Sequence, residues 1–188
     1  MKNLKLQSVN QLMTSITIVA FFSIIIVLFS SCSGDDSSTS PTPTPTPGSA
    51  TKAPDFSLNS TDGTQVKLSN YTSKVVVIFF FGNSCPSCKA AGPSIQAKLA
   101  APYAGNSNYQ ILGLDQWDGN TASVQSFRTV TGVSFPLLLN ASSVAASYKT
   151  TYDRLVVIDK SGNIAYSGTQ GAGADADKVK TKVDELLK

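Results

Sequence analysis

One stretch of the sequence restricts the possible folds more than any other. Seven consecutive apolar residues, Val75–Phe81, are followed by a Gly-Asn-Ser break and then by Cys85-Pro86-Ser87-Cys88. The run is too short to cross a membrane as a helix and is rich in β-branched and aromatic residues, so it predicts a strand buried on both faces. Pro86 suits the first turn of a helix, because its fixed φ fits there and its missing N–H is not needed.

A cysteine pair at the start of a helix has a chemical consequence. The free N–H groups and the positive end of the helix dipole stabilise a thiolate at the first cysteine. The spacing therefore predicts that Cys85 is a nucleophile and that Cys88, one helical turn further on, resolves the bond that Cys85 forms. A structural disulfide and half of a zinc site are the alternatives. Zinc needs four ligands, and the chain has neither a second cysteine pair nor a histidine.

Composition excludes several classes of function. The 188 residues suffice for one domain of ordinary size plus appendages. The formal net charge is +3 without a basic block, which gives no support for nucleic-acid binding. Because the sequence contains no histidine, Ser-His-Asp triads, Cys-His nucleophile pairs and histidine metal sites are excluded. We expect neither a metal nor a cofactor.

The first 31 residues are typical of a targeting segment rather than of a fold. A positively charged start precedes an apolar run of 14 residues interrupted by Thr and Ser. Phe29-Ser30-Ser31-Cys32 then resembles a bacterial lipobox, in which small residues precede a cysteine that is lipidated and becomes the mature N-terminus. Phenylalanine departs from the commoner leucine at the first position, and an uncleaved membrane anchor is the alternative. Either interpretation places the remaining chain outside the cytoplasm and tethered to a membrane. We expect it at the outer membrane or facing the periplasm.

Two further segments complete the predicted organisation. Residues 32–51 comprise Cys32 and a Pro/Thr-rich tether, in which proline at every second position from 41 to 47 blocks helix and sheet pairing and favours an extended spacer. Residues 52–188 form the predicted globular domain, long enough for a normal core.

The pattern of this domain predicts an α/β fold in which helices flank a mixed central sheet, preceded by an N-terminal hairpin. Pro93 is expected to kink the first helix. The predicted elements are a hairpin over 53–68, strands at 75–81, 109–114, 155–158 and 164–167, a short apolar segment at 135–139, and helices at 86–99, 121–130, 142–148 and 175–188.

Several segments of the domain together resemble a known family. They resemble thioredoxin-fold proteins of the membrane-anchored thiol-disulfide oxidoreductase group (TlpA/ResA-like), which overlaps the redoxin and alkyl-hydroperoxide-reductase superfamily. The matching pieces are Ala53-Pro54-Asp55-Phe56, the segment from Phe81 to Cys88, Pro93, Gly132-Val133-Ser134-Phe135-Pro136-Leu137-Leu138 and Val156-Val157-Ile158-Asp159-Lys160-Ser161-Gly162.

The resemblance implies an enzyme and its partners. Cys85 would attack a thiol or disulfide of a partner protein to form a mixed disulfide, and Cys88 would release it. An upstream electron donor would restore the dithiol. The domain is expected to be a monomer that reaches the membrane only through the lipid on Cys32.

Departures from the family concern the surroundings of the dithiol. Ser84 stands where the family usually has an aromatic residue, and Ala91 stands where many relatives carry an acid. The position of the family's cis-proline falls at Asp153, with Pro136 as the alternative. If Asp153 faces the two cysteines, its carboxylate either disfavours a thiolate there or supplies acid-base chemistry, with Arg154 offsetting its charge. A solvated Asp153–Arg154 pair on a loop is the alternative.

Two other functions and one aromatic residue remain open at this point. A redoxin-type peroxidase is one alternative, although Ile78 and Gly82 occupy the positions where peroxiredoxins place Pro and Thr or Ser. A copper-binding module is another, because two thiolates suit Cu(I), although such relatives use a longer cysteine spacing and a histidine. Trp117 lies either at the rim of the active-site cleft or in an ordinary packed loop.

Overall fold

The computed structural model describes residues 51–169 and 171–188. The predicted targeting segment, Cys32 and the tether up to residue 50 lie outside these residues. Within the described part, no helix combines the length and the apolar character needed to cross a bilayer.

Seven strands and four α-helices make up the described chain. The strands are β1 (Ser57–Asn59), β2 (Gln65–Lys67), β3 (Val75–Phe81), β4 (Tyr109–Asp115), β5 (Leu137–Leu138), β6 (Arg154–Ile158) and β7 (Ile164–Ser167). The helices are α1 (Pro86–Ile95), α2 (Thr121–Thr131), α3 (Ser142–Ser147) and α4 (Ala172–Leu187), with a π-helix at Gln96–Ala100 and 3-10 turns at Leu68–Tyr71 and Ala101–Tyr103.

The strands form the predicted mixed sheet and the predicted hairpin. The main sheet has the order β5-β4-β3-β6-β7, in which β3, β4 and β5 are parallel while β6 is antiparallel to β3 and β7 to β6. β1 and β2 pair separately as an antiparallel hairpin. The central strand is β3, and all seven of its residues are buried. The predicted strand with two buried faces is therefore confirmed.

Alternate residues of β3 pack into two separate cores, because successive side chains of a strand point to opposite faces of the sheet. Phe79 and Phe81 pack on one face beneath α1, α2 and α4, where Phe81 stacks on Phe127 with ring centroids 4.3 Å apart. Phe80 packs on the other face against Tyr148, which follows α3. Both faces of the sheet are thus covered, so we look for reactive residues at the ends of its strands.

The first helix departs from the prediction at its end. The sequence predicts one helix from Pro86 to about Leu99, whereas α1 ends at Ile95 and a π-helix continues to Ala100. The wider turn begins three residues after Pro93, which has no N–H to donate to the preceding turn. The predicted apolar face is confirmed, since Cys88, Ala91, Ile95 and Leu99 are all buried.

The last helix begins earlier than predicted. The sequence places its start at Asp175, but α4 starts at Ala172. The carboxylate of Asp153 accepts a hydrogen bond from Ala172 N at 3.1 Å and so supplies the cap that Gly171 has no side chain to provide. A residue from another part of the chain therefore sets this boundary.

Candidate active site

The cysteine pair lies at the carboxyl ends of the parallel strands β3 and β4. β3 ends at Phe81, and a tight turn closed by a hydrogen bond from Cys85 N to Gly82 O (3.0 Å) leads into α1. Loops at this edge of an α/β sheet commonly carry ligand and reaction sites. The predicted strand, turn and helix therefore meet where an active site is expected.

Cys85 is the N-cap of α1. Its Sγ accepts a hydrogen bond from Cys88 N at 3.2 Å, and Ser87 Oγ lies 3.2 Å from the same sulfur. Pro86 occupies the first turn of α1, as predicted. The sulfur thus lies at the positive end of α1, beside a backbone N–H and a hydroxyl, which is the kind of environment in which nucleophilic cysteines occur.

The two thiols differ in access to solvent. Both cysteines are free in this structure. Cys85 is 2% exposed and Cys88 is completely buried, whereas Ser84, Pro86 and Ser87 around them are exposed. A partner molecule approaching from solvent therefore meets the edge of Cys85 first.

Burial raises the pKa of the Cys88 thiol from 9.0 to about 12. The neighbouring Cys85 sulfur and the charge of Asp153 contribute to this rise, while the backbone N–H of Gly82 opposes it. Desolvation disfavours the charged form of a thiol, and nearby negative charge acts in the same direction. Cys88 is consequently a protonated thiol at neutral pH.

Asp153 is buried close to this thiol. The residue is 6% exposed and has a left-handed backbone with φ of 56°. Its carboxylate caps α4, and its carbonyl oxygen accepts a hydrogen bond from Gly171 N at 3.1 Å. The alternative of a solvated loop residue is thus wrong for Asp153. All peptide bonds of residues 51–169 and 171–188 are trans, including the one at this position.

Arg154 does not accompany Asp153 to the dithiol. Val156 and Ile158 of the same strand face the second core, and the alternation of side chains along β6 places Arg154 on that face too. Its Nε is buried without a hydrogen-bond partner, and no ion pair between Arg154 and Asp153 occurs among the described residues. The structure gives no support to the charge-offsetting role predicted for Arg154.

Asp115 is a residue of the site that the sequence analysis missed. It is fully buried at the end of β4 and accepts hydrogen bonds from Asn83 N at 3.0 Å and Gly119 N at 2.7 Å. The Asn83 amide donates to the same carboxylate at 3.0 Å. Asp115 thereby fixes the turn that leads to Cys85. The sequence contained one signal that could have identified Asp115, which is a carboxylate directly after a predicted apolar strand.

Trp117 lies at the rim of the site rather than in a packed loop. Its indole covers Gly82, where an added Cβ would lie 2.5 Å from two ring atoms. The ring also meets Tyr152 edge-on, with centroids 5.2 Å apart and an interplanar angle of 73°. Gly82 is therefore required for this close approach of an aromatic ring to the backbone.

Comparisons with known proteins agree with the fold and with this site. The model of the AhpC/TSA family matches residues 50–167. A solved protein from Bacteroides thetaiotaomicron, described as a protein disulfide isomerase, is 28% identical, with a TM-score of 0.68 over 73% of this chain and 89% of that one. A thiol:disulfide interchange protein DsbE from Chlorobium tepidum is 23% identical, with a TM-score of 0.65 over 74% and 97% of the two chains.

A secreted disulfide oxidoreductase from Mycobacterium tuberculosis is 21% identical, with a TM-score of 0.58 over 70% of this chain and 96% of that one. The comparison with curated proteins gives no match. The predicted thioredoxin-like fold and the predicted resemblance to redoxins and thiol-disulfide oxidoreductases are confirmed.

Proposed function

Because the chain belongs to the AhpC/TSA family, we propose that it is a thiol-disulfide oxidoreductase whose Cys85–Cys88 couple acts on the thiols and disulfides of proteins. The observation that carries this proposal is the asymmetry of the pair. Cys85 caps α1 beside the exposed residues Ser84, Pro86 and Ser87, while Cys88 lies completely buried behind it with a raised pKa. An attacking thiolate and a protonated resolving thiol need this division.

The exchange proceeds in two displacements. The Cys85 thiolate attacks one sulfur of a client disulfide, forming a Cys85–client bond and releasing the other client sulfur as a thiolate. Cys88 then loses its proton and attacks Cys85 Sγ, which forms the Cys85–Cys88 disulfide and releases the second client thiolate. Two electrons pass from the dithiol to the client, and a thiol donor returns them in the reverse sequence.

The environment of Cys88 orders these two steps. Two of the influences that raise its pKa, the hydrogen bond with Cys85 and the charge of Cys85, disappear once Cys85 is bonded to the client. Cys88 therefore becomes easier to deprotonate only after the mixed disulfide exists. We assign the uptake of the proton that Cys88 releases to the carboxylate of Asp153, because its charge acts on this thiol.

The other predicted site residues support Cys85. The hydroxyl of Ser87 donates to its sulfur, and Pro86 fixes the backbone of the first turn of α1. Ser84 is an exposed small residue directly before the nucleophile, where it leaves the approach to Cys85 open.

The N-terminal sequence supports a location outside the cytoplasm. We infer a signal peptide over 1–31, a lipidated Cys32 with a tether over 32–51, and a redox domain over 52–188. The first described residues lie away from the dithiol: Thr51 O accepts a hydrogen bond from Ile164 N at 2.8 Å and Ala53 N donates to Gly162 O at 3.0 Å, at the end of β6 opposite to Arg154.

The alternatives have less support from the residues. Gly82 offers no hydroxyl to a peroxide, and Ile78 is buried in the core on the face opposite to the cysteines. A copper site would need further ligands, and no group of three or more His, Cys, Asp or Glu side chains suited to a metal occurs in the described ranges.

Insulin reduction with dithiothreitol tests the proposal. The purified chain should accelerate it, Cys85→Ser should abolish the acceleration, and Cys88→Ser should accumulate a mixed disulfide with the client. Peroxide consumption by the reduced protein at a rate well above its disulfide exchange would assign it to the peroxidases instead. Absence of both activities would overturn the proposal.

A further inference from the structure

An exposed tryptophan lies against the backbone of the turn that leads to the dithiol. Trp117, the single tryptophan of the sequence, is 43% exposed, and Val130 on α2 is the other large exposed hydrophobic residue of the described chain. Isolated exposed apolar side chains are ordinary. What distinguishes Trp117 is its surroundings rather than its exposure.

The indole is held in place before any partner arrives. One face lies against the backbone of Gly82, and one edge meets the Tyr152 ring at 5.2 Å. Trp117 N also donates to the Asp115 carboxylate at 3.4 Å. A rigid aromatic surface loses little conformational entropy when another side chain packs on it.

The two aromatic residues lie on the two loops that flank the dithiol. Trp117 covers Gly82, whose carbonyl oxygen accepts a hydrogen bond from Cys85 N at 3.0 Å. Tyr152 directly precedes Asp153, whose charge acts on Cys88. The aromatic pair thus joins the two loops on either side of the dithiol.

Disulfide exchange brings a client into contact with these two loops. Its sulfur has to approach bonding distance of Cys85 Sγ, and Cys85 is only 2% exposed. The residues next to the client's cysteine therefore have to lie against the loops around Cys85. Trp117 and Tyr152 offer aromatic surface there.

We propose that Trp117 and Tyr152 form a subsite for an apolar side chain, such as phenylalanine, adjacent to the reacting cysteine of a protein client. This inference rests on the proposed function, because a client of disulfide exchange has to bring its cysteine next to Cys85. Trp117 and Tyr152 act as specificity residues that touch the substrate. A contact between aromatic rings is worth about 0.5–1.5 kcal/mol beyond area burial, which corresponds to roughly two- to tenfold in affinity.

Binding is tested first without redox chemistry. The full chain carrying both Cys85→Ser and Cys88→Ser is titrated with two peptides of equal length. One peptide has Phe-Ser-Gly at its centre and the other has Ser-Ser-Gly. In each peptide the middle serine of this tripeptide replaces the cysteine of the client. The emission of the single tryptophan reports binding. We expect the phenylalanine peptide to bind about two- to tenfold more tightly, and Tyr152→Ala to reduce that ratio.

Turnover is tested next in the protein with both cysteines. The corresponding peptides carry cysteine in place of the middle serine and are supplied as mixed disulfides. The phenylalanine peptide should again be preferred, now in kcat/KM. Trp117→Ala should remove the preference for the phenylalanine peptide and Trp117→Phe should keep most of it, whereas Val130→Ala should change neither the preference nor the rate with the serine peptide. The exchange equilibrium with dithiothreitol should stay the same in all variants, which separates a binding role from a structural one.

Each result separates the two proposals. Equal binding and equal kcat/KM for both peptides would overturn the subsite and leave disulfide exchange standing. A preference in the binding experiment without any exchange by the intact protein would overturn the proposed function, and with it the client for which the subsite is proposed.

Discussion

At the scale of single residues, Asp153 has two roles. Its carboxylate caps α4, and its charge raises the pKa of Cys88. Its φ of 56° is a conformation that asparagine and aspartate tolerate better than other residues with a side chain. The two roles can therefore be separated by substitution.

Asp153→Asn keeps a capping oxygen and the tolerance of this backbone but removes the charge. We expect the pKa of Cys88 to fall and stability to change little, because only the charge acts on the thiol. The rate of Cys88 alkylation against pH, in a Cys85→Ser background, measures the shift. An unchanged pKa of Cys88 would show that the charge does not act on it.

Asp153→Ala is the matched control. It removes the same charge, so the pKa of Cys88 should fall as in Asp153→Asn. It also removes the cap and strains the backbone, which should lower the free energy of unfolding by ~2 kcal/mol in urea denaturation.

At the scale of elements, α1 holds its cysteines in place by packing closely against two other helices. Gly92 faces α2, where an added Cβ would lie 2.6 Å from the Cβ of the buried Thr131. Gly173 of α4 faces Ala91, where the nearest atoms would be 3.4 Å away. The contact at Gly92 leaves no room for a methyl group, whereas the contact at Gly173 does.

Gly92→Ala tests this difference. Alanine favours a helix over glycine by about 1 kcal/mol, but overpacking of a buried contact costs about 1–3 kcal/mol. We expect a net loss of about 1 kcal/mol, because the obstructing atom belongs to the stem of Thr131 and cannot rotate away. Gly173→Ala should be neutral or stabilising by up to ~1 kcal/mol. Equal urea midpoints for the two variants would contradict the tight contact between α1 and α2.

At the scale of the whole molecule, folding buries several groups that lose a proton in alkali. Cys88 has its pKa raised to about 12, mainly by burial. Burial also raises the pKa of Tyr103, Tyr109 and Tyr148 above the usual 10.0. Above their ordinary pKa values the unfolded chain releases these protons while the folded chain keeps them. The folded state then binds more protons, so its stability falls as the pH rises.

The reduced protein should therefore lose stability between about pH 9 and pH 12, and these groups should give no pH dependence below pH 9. Urea denaturation of the reduced protein at several pH values measures this. Cys88→Ser is the matched control, because serine does not titrate while the tyrosines remain. Its stability should fall less steeply over the same range, and identical slopes would show that Cys88 contributes nothing.

Local patterns in the sequence predicted most of the fold and the centre of the site. The apolar run of β3 and the alternation of strands and helices required the mixed sheet, and Pro86 after Cys85 predicted the start of α1. These signals work because a buried strand and a helix N-terminus each depend mainly on residues close together in the sequence.

Tertiary structure decided the surroundings of the dithiol. Asp115 fixes Asn83 across 32 residues, and Asp153 sets the start of α4 across 19. The Trp117–Tyr152 pair joins two loops that follow and precede different strands. The sequence by itself determined a dithiol at the start of a helix behind a buried strand. Only the folded chain decided which charge and which aromatic rings border it, because these contacts join residues that no local pattern relates.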